Sequence, residues 1–570
     1  MDQRNLLIAI VLSVVILIAF QFTYEHFAPP PPHRTTTSAP AHPPSAVSRA
    51  EPPATNAPAA AHAGAAGVET RAAVLAKEPR IKIVTPRLHG SIALKGAMFD
   101  DLTLTTYHVG VKPTSPDVVL LQPTGTAHPY LAEFGWSADS PGVKLPGPDT
   151  VWKPITSGPL TPSHPITLSW DNGAGLLFTR TISVDRNYMF TVHESVRNTG
   201  KSAVELSPYG LISRTGTPKV SGYYLLFEGL LGYVDGSLQE IKYSSLTPGK
   251  PDSFPSTGGW LGFSDKYWLT SLIPPQNDKV TARFDHTLEK DVDRYQTDFL
   301  GPPVTIAPGA TAETSSRFFA GAKELSLLDA YTAQGIPRFD HAIDFGWFYF
   351  LTKPIFLTLR LFKHALGNFG LAILLFTLLV KLLFFPLANK SYRAMSRMKL
   401  LQPEVQKLRE RFPDDKARQQ QEMMALYKRV GANPLAGCLP IVVQIPVFFA
   451  LYKVLYVTIE MRHAPFFGWI HDLAAPDPTS FANLFGLIPY TPPPFLMIGA
   501  WPIIMGVTMF LQQKLNPQPV DPMQARMFMI LPVVFTWMLA AFPAGLVIYW
   551  AWNNTLSVIQ QWVIYRRSGA

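Results

Sequence analysis

Five apolar segments, at about 369–388, 439–460, 495–513, 527–542 and 545–564, fill the C-terminal third of this 570-residue chain. Crossing the hydrocarbon core of a bilayer takes roughly 20 apolar residues in a helix. Inside the bilayer, only helices and closed barrels satisfy every backbone polar group. These lengths therefore predict a membrane α-helical region. A sixth apolar run, Leu6 to Phe20, follows Arg4 and leads into Phe22, Tyr24 and Glu25. A cleaved signal peptide competes with an anchor here. Cleavage near Ala28 would place His26 at the −3 position, a poor fit to the small-x-small pattern, and the aromatic exit resembles an interfacial belt. An uncleaved transmembrane anchor over 1–25 is the expectation, with the N-terminus cytoplasmic. The 527–542 segment is short, and only Phe542-Pro543-Ala544-Gly545 separates it from the last. A tight extracytoplasmic hairpin is preferred there over two helices that do not fully cross.

Charge placement orients the spans. Net charge is +9, and between Asn389 and Gly437 lie eleven basic residues, from Lys390 and Arg393 to Lys428 and Arg429. Lysine and arginine concentrate in cytoplasmic loops, so this connection is placed inside. A nucleic-acid patch is the competing reading, and ribosomal RNA stays open as a partner. Six spans return the C-terminus, with Arg566 and Arg567, to the cytoplasm, while the external 461–494 loop offers only Arg462.

The middle of the chain obeys other rules. Residues 26–79 are rich in Pro, Ala, Thr and Ser without an amphipathic period, which predicts a tether. From 80 to 336, alternating runs (IALKG at Ile92, LTLTTYH at Leu102, TRTISVD at Thr179, MFTVHESV at Met189) are bounded by turn residues. Period two with such punctuation predicts antiparallel sheets, a β-sandwich. This region shows no metal-ligand spacing, nucleophile elbow or phosphate loop. His108, Asp171 and Glu194 are expected to face solvent. Cys438 is the sole cysteine, which excludes an intramolecular disulfide and a thiolate cluster.

Two amphipathic patterns follow. In 346–366, Phe348, Leu351, Ile355, Leu359, Phe362 and Leu366 recur at helical steps, with Lys353, Arg360 and His364 on another face. This predicts an interfacial helix, against the alternative of a helix packed on the sandwich. Pro354 either breaks it or sets the first turn of a shorter helix. In 389–437, Met398, Leu401, Val405, Leu408 and Phe412, then Met423, Met424, Tyr427 and Val430, predict a helical hairpin turning at Phe412-Pro413-Asp414-Asp415. Core packing explains most of these positions. Met395, Met398, Met423 and Met424 are also candidates for an adaptable surface that receives varied apolar ligands.

Lys381 lies inside the second apolar segment. An ionisable residue at membrane depth costs at least a few kcal/mol and is a functional candidate by default. The plain alternative is snorkelling, since Lys381 is six residues before Leu387, or roughly 9 Å at 1.5 Å per residue. Thr377 one turn away, Gln444 in the third segment, and Asn553 and Asn554 in the last tip the balance. Each is costly facing lipid, and no carboxylate lies deep in any span. Together they predict a hydrated cavity around one cation.

At this point a resemblance enters. Lys399-LLQPEVQKLRERF, Asp415-KARQQQEMMALYK, Asn433-PLAGCLPIVVQIPVFFALY, GVTMF at Gly506, DPMQ at Asp521 and FPAGLVIYW at Phe542 resemble the YidC family of membrane insertases from about Trp347 to Arg567. The anchor and large middle region are similar to the Gram-negative form, whose periplasmic domain is a β-supersandwich. The resemblance implies an insertase core over 367–570 at the bacterial inner membrane. It implies no enzymatic activity, no cofactor or metal, and no small-molecule substrate. Implied partners are nascent membrane proteins, the ribosome, the Sec translocon and the lipid bilayer. The implied mechanism is a cytoplasm-open groove with one positive charge, past which apolar segments slide into lipid beside the third and fifth spans. Lys381 takes the charged position, with Thr377, Gln444, Tyr549, Trp550 and Asn553 lining the groove. The family pattern has arginine there, and lysine keeps the charge but loses the bidentate fork. Two rivals remain: a secondary transporter, against which stand the lack of an internal repeat and of paired broken helices, and a membrane-anchored binding module acting through the sandwich.

Overall fold

A computed structural model describes residues 68–112, 114–140, 142–220, 226–346, 349–413, 415–430, 439–490, 492–516 and 522–568. The expected anchor (1–25) and most of the expected tether lie outside them. A short helix α1 (Arg71–Leu75) precedes the first strand.

Residues 80–322 build two large antiparallel sheets. In spatial order the ten-stranded sheet runs Arg80–Val84, Leu88–Ala93, Phe99–His108, Tyr130–Ser137, Val204–Thr215, Val292–Leu300, Lys279–Glu289 and Asp252–Thr257, with Asp117–Leu121 and Val304–Ile306 paired onto its third and fifth strands. The nine-stranded sheet runs Ser237–Ile241, Gly229–Val234, Trp260–Ser264, Trp268–Ile273, Thr311–Ala322, Met189–Asn198, Leu176–Val184, Ile166–Asp171 and Lys153–Pro154. Strand Leu176–Val184 buries every second residue, as period two requires of a sheet with one dry face. Aromatic rings fill the space between the sheets. Phe99 meets Phe190 and Phe318 at centroid distances of 5.2 and 5.3 Å, and Tyr130 meets Phe263 at 5.8 Å. The runs at Leu102, Thr179 and Met189 are strands, but the run at Ile92 holds only a strand end. The chain turns at Gly96 and Ala97, both left-handed, at φ 74° and 50°.

Glu194 does not face solvent. It is buried opposite Arg180 on the neighbouring strand, whose guanidinium lies 2.7 Å from the carboxylate. Arg180 also donates to the carbonyls of Ala97 (3.0 Å) and Phe134 in the other sheet. The pair thus bolts the layers together and leaves neither charge uncompensated. Asp171 is exposed and accepts the Gly173 N–H in a turn. His108 is partly exposed, 2.8 Å from Asp117.

Helix α2 (Leu325–Ala333) leaves the second sheet and leads to α3 (Tyr349–Leu366). α3 runs unbroken through Pro354, which is expelled to the exposed side. Thr352, Ile355, Phe356 and Leu359 face the protein interior, while Phe350, Leu357 and Leu361 form a second, exposed apolar ridge. Lys353, expected on a solvated basic face, pairs with Asp329 at 2.8 Å and Asp340 at 3.0 Å.

The remaining helices are α4 (Phe369–Leu383), α5 (Phe385–Leu400), α6 (Gln402–Arg411), α7 (Lys416–Val430), α8 (Leu439–Val457), α9 (Ala500–Leu515), α10 (Pro522–Leu539) and α11 (Ala544–Ser568). Among the described residues no single helix is long and apolar enough to cross a membrane. One pair, α4 with α5, meets the requirement jointly but is bent by 68°. The second apolar segment is therefore interrupted. Pro386 has no N–H to continue the first helix but is tolerated in the first turn of a new one, so α4 ends, the chain turns at Phe384 and α5 starts with the proline in its first turn. Pro403 marks a second break, at Leu401, so the first arm of the expected hairpin is two helices, α5 and α6. Helices α6 and α7 pack together with Val405 and Leu426 buried, and Arg411 and Arg418 both lie over the Phe412 ring.

Candidate functional site

The last turn of α4 carries Lys381, and the helix ends two residues later rather than six. Its ammonium reaches across to α11 and donates to the Ser557 hydroxyl at 2.7 Å. Ser557 in turn donates to the Asn553 carbonyl at 2.9 Å, and the Asn553 side chain accepts from Gln444 at 3.0 Å. A polar ladder therefore runs along one face of α11 through Asn553, Ser557 and Gln561, all buried, with Gln561 donating to Asn516 at 3.0 Å. Each of these side chains makes at least one hydrogen bond, which is what makes polar residues tolerable between apolar helices, although the Gln561 side-chain oxygen is buried without a partner. No carboxylate reaches Lys381 among the described residues; its side-chain partner is neutral.

Two spaces meet at this lysine. The larger, of about 760 Å³, opens between α4, α5 and α11 and is lined by Lys381, Asn389, Arg393, Arg397 and Gln560 among apolar neighbours such as Leu382 and Ile559. It is lined by three basic side chains and no acidic one, where the sequence pointed to a single positive charge. Arg393 and Arg397 are exposed at its rim, and Lys381 sits deeper. The smaller space, of about 20 Å³, lies behind Lys381 against Phe384, Tyr392 and Gln444. It has room for about one water molecule.

Lys381, Gln444 and Asn553 are thus brought together. Of the three, Lys381 lines both spaces and Gln444 the smaller one, while Asn553, like Thr377, Tyr549 and Trp550, lines neither. Thr377 is fully buried and returns its hydroxyl to the Ile373 carbonyl at 2.7 Å, a local bond that a mid-helix threonine makes without help. Tyr549 is buried in the main core. Trp550 packs between Phe448 (4.8 Å) and Phe535 (6.0 Å). The four methionines also separate. Met395 is buried with Tyr392, Ile564 and Tyr565, with Met398 partly covered beside it, while Met424 is exposed and Met423 half-buried on α7. Sequence reasoning missed Ser557, Gln560, Gln561, Asn389, Arg393 and Arg397. The first three had a usable signal, polar residues at three- and four-residue steps in an apolar helix.

No group of His, Cys, Asp or Glu among the described residues is arranged to hold a metal ion. The arrangement offers electrostatic attraction and room for water among apolar helices.

The family models and the curated relatives agree. Residues 80–358 match the family described as the YidC periplasmic domain, and residues 361–569 match the 60Kd inner membrane protein family. The membrane protein insertase YidC of Bradyrhizobium diazoefficiens is 51% identical over 600 residues, covering 100% of this chain and 97% of that protein. That of Nitrobacter hamburgensis is 53% identical over 586 residues, covering 100% and 96%. A crystal structure of an active YidC insertase with its first transmembrane domain resolved aligns with 85% of this chain and 92% of its own, at 17% identity and a TM-score of 0.36.

Proposed function

Since the chain belongs to the YidC family and is a membrane protein insertase of the inner membrane with a periplasmic domain, we propose that the basic cavity beside Lys381 receives the polar, acidic end of a client while the client's apolar segment leaves sideways into lipid. The observation that carries this reading is the lining: Lys381, Arg393 and Arg397 with no carboxylate. A client carboxylate entering a low-dielectric space gains more from a cation than it would in water. Lys381 rests on a neutral hydroxyl, a partner that such a carboxylate can displace without breaking an ion pair. Exposed apolar side chains support the lateral exit, with Ile445 and Phe449 on α8 and Ile530, Val533 and Val534 on α10.

The topology follows the positive-inside rule. Six spans place both termini, the α6–α7 hairpin, Lys514 and Arg526 in the cytoplasm, and the β-domain and the 461–494 loop in the periplasm. Met423 and Met424 on α7 supply the adaptable part of the receiving surface. The basic hairpin and tail would contact the ribosome, and the Sec translocon is a further partner. These roles rest on charge and on the family resemblance.

Lysine acting by charge alone makes a definite prediction. In proteoliposomes, Lys381→Arg retains insertion of a substrate with an acidic translocated tail, and Lys381→Glu abolishes it, read as protease protection of the tail. Normal protection with Lys381→Glu would remove the cavity charge from the mechanism.

A further inference from the structure

Between Asp477 and Lys514 the sequence contains no Asp, Glu, Lys or Arg, a long interval to leave uncharged outside a helix. Part of it is α9. The part before α9 folds into a loop that turns its apolar side chains outward instead of inward. Leu487 is 83% exposed, and Leu484, Phe485, Ile488, Tyr490 and Phe495 are all exposed. A water-facing loop gains nothing from such a surface.

The backbone of the loop is closed on itself. At its base the Phe481 N–H donates to the Ile498 carbonyl at 3.0 Å, and the Ser480 hydroxyl donates to the Leu496 carbonyl at 2.8 Å. Inside it, Asn483 donates to the Tyr490 carbonyl at 3.2 Å, and its own side-chain oxygen accepts the Gly486 N–H at 3.0 Å. The Phe485 and Ile488 N–H groups donate to the Ser480 and Asn483 carbonyls. Internal pairing of this kind is what a chain needs where water is scarce. Leu484 and Phe485 are held at φ 50° and 58°, a left-handed conformation that bulky residues avoid. Strain of this sort persists only where the surroundings over-determine it, and it clusters at functional segments.

Beneath the loop the one carboxylate is fully engaged. Asp477 is buried and accepts from the Trp469 indole (3.1 Å), the Thr479 N–H (3.0 Å) and hydroxyl (2.7 Å), and the Trp501 N–H at the start of α9 (2.9 Å). On the side of α10 the loop joins that helix directly. The Trp537 indole donates to the Phe495 carbonyl at 3.2 Å, and exposed Phe495 continues the exposed apolar face of Val533, Val534 and Trp537. For an insertase whose helices meet lipid, that face is the lipid-contacting one, and the loop extends it.

We infer that the residues Phe481–Tyr490 and Pro492–Leu496 form an interfacial anchor, seated at the headgroup–acyl boundary of the outer leaflet of the bilayer. Its uncharged surface suits the acyl side and the wet rim of a phospholipid layer of any headgroup charge. Aromatic side chains favour that depth. The inference rests on the topology proposed above, which puts this loop outside.

The test uses the full-length protein in liposomes of phosphatidylethanolamine and phosphatidylglycerol, with Cys438→Ser removing the only native thiol. An environment-sensitive fluorophore is attached at Leu487→Cys and, for comparison, at Lys250→Cys on an exposed loop of the β-domain. The anchor predicts blue-shifted emission at position 487, at least two-fold stronger quenching by lipids brominated near the headgroup than by aqueous iodide, and the reverse order at position 250. Equal iodide quenching at the two positions overturns it. Protection that comes with cross-linking to a second copy of the chain, instead of quenching by brominated lipid, also overturns it. A membrane-impermeant maleimide applied to oriented vesicles carrying His471→Cys or Lys250→Cys separates the two readings. Labelling of these two positions from opposite sides overturns the topology and the anchor with it. Labelling from the same side with a water-exposed Leu487→Cys overturns the anchor alone.

Discussion

Lys381 and Asp298 are both ionisable groups set among apolar neighbours, and they are handled differently. Asp298 is buried in the β-domain, with Arg283 at 3.1 Å and Gln296 at 2.9 Å. Burial still dominates, and it pushes the carboxyl up to about 6. Since an unfolded aspartate titrates near 3.9, the folded state binds the proton more tightly between those values. Its contribution to stability is complete below about pH 4 and is lost as pH rises through about 6. Asp298→Asn should therefore flatten this part of the stability–pH curve, by up to about 3 kcal/mol across the window. Unfolding midpoints of the two proteins at pH 4.5 and 6.5 would show it; parallel curves would refute it. Lys381 meets a hydroxyl instead of a carboxylate. Leaving a lysine on a neutral partner among apolar helices costs stability, and under the function proposed above it keeps the charge free for a client carboxylate. The sequence flagged Lys381, Gln444 and Asn553 because any polar group at membrane depth is anomalous. Thr377, Tyr549 and Trp550 sit away from the cavity beside Lys381, because helical phase shows which residues share a face, not which neighbour that face meets.

At the scale of the element, α3 and the α4–α5 break show how a single period can mislead. The expected amphipathic pattern in 346–366 had one apolar stripe, whereas α3 has an inner face of Thr352, Ile355, Phe356 and Leu359 and an outer ridge of Phe350, Leu357 and Leu361. The inner face belongs to the main core, so Phe356→Ala should destabilise by about 3–5 kcal/mol, the range for emptying a buried phenylalanine site. Leu361→Ala should change stability by less than about 1 kcal/mol. Thermal unfolding in detergent would compare them, and equal losses would contradict this division of faces. Hydropathy likewise read 369–388 as one segment. Pro386 sits inside it, and a missing donor outweighs a continuous apolar run: α4 has 15 residues, about 22 Å at 1.5 Å per residue.

At the scale of the whole molecule, a few polar contacts tie the β-domain and the segment after it to the helices that follow. Lys353 on α3 holds Asp329 and Asp340, and Lys453 on α8 holds Asp344 at 2.8 Å. Arg462 donates to the His108 carbonyl in the β-domain. The carboxylates that hold the two lysines all lie beyond the last strand, Asp329 within α2 and Asp340 and Asp344 between α2 and α3. Deleting about residues 80–320 should therefore preserve core insertion activity, since both lysines keep their partners. Extending the deletion through Asp344 should lower the yield of folded protein and its thermal midpoint, because breaking a partly buried pair leaves a cation uncompensated. Protease protection of a client and the thermal midpoint of each truncation would decide it. Loss of all insertion in the shorter deletion would instead favour the binding-module reading of the β-domain.

By itself the sequence determined the division of the chain. An alternating region precedes apolar helical segments, and one lysine stands out among them. Period, length and the cost of a buried charge are local properties, readable without a partner. Only the tertiary structure decided that Glu194 would be bolted to Arg180, that Lys381 would lean on Ser557, and that Arg393 and Arg397 would share its cavity. Those outcomes depend on which strand lies beside which, and on the turn at Phe384 that folds α5 back toward α11. They are set by packing between residues far apart in the chain, which no local pattern encodes.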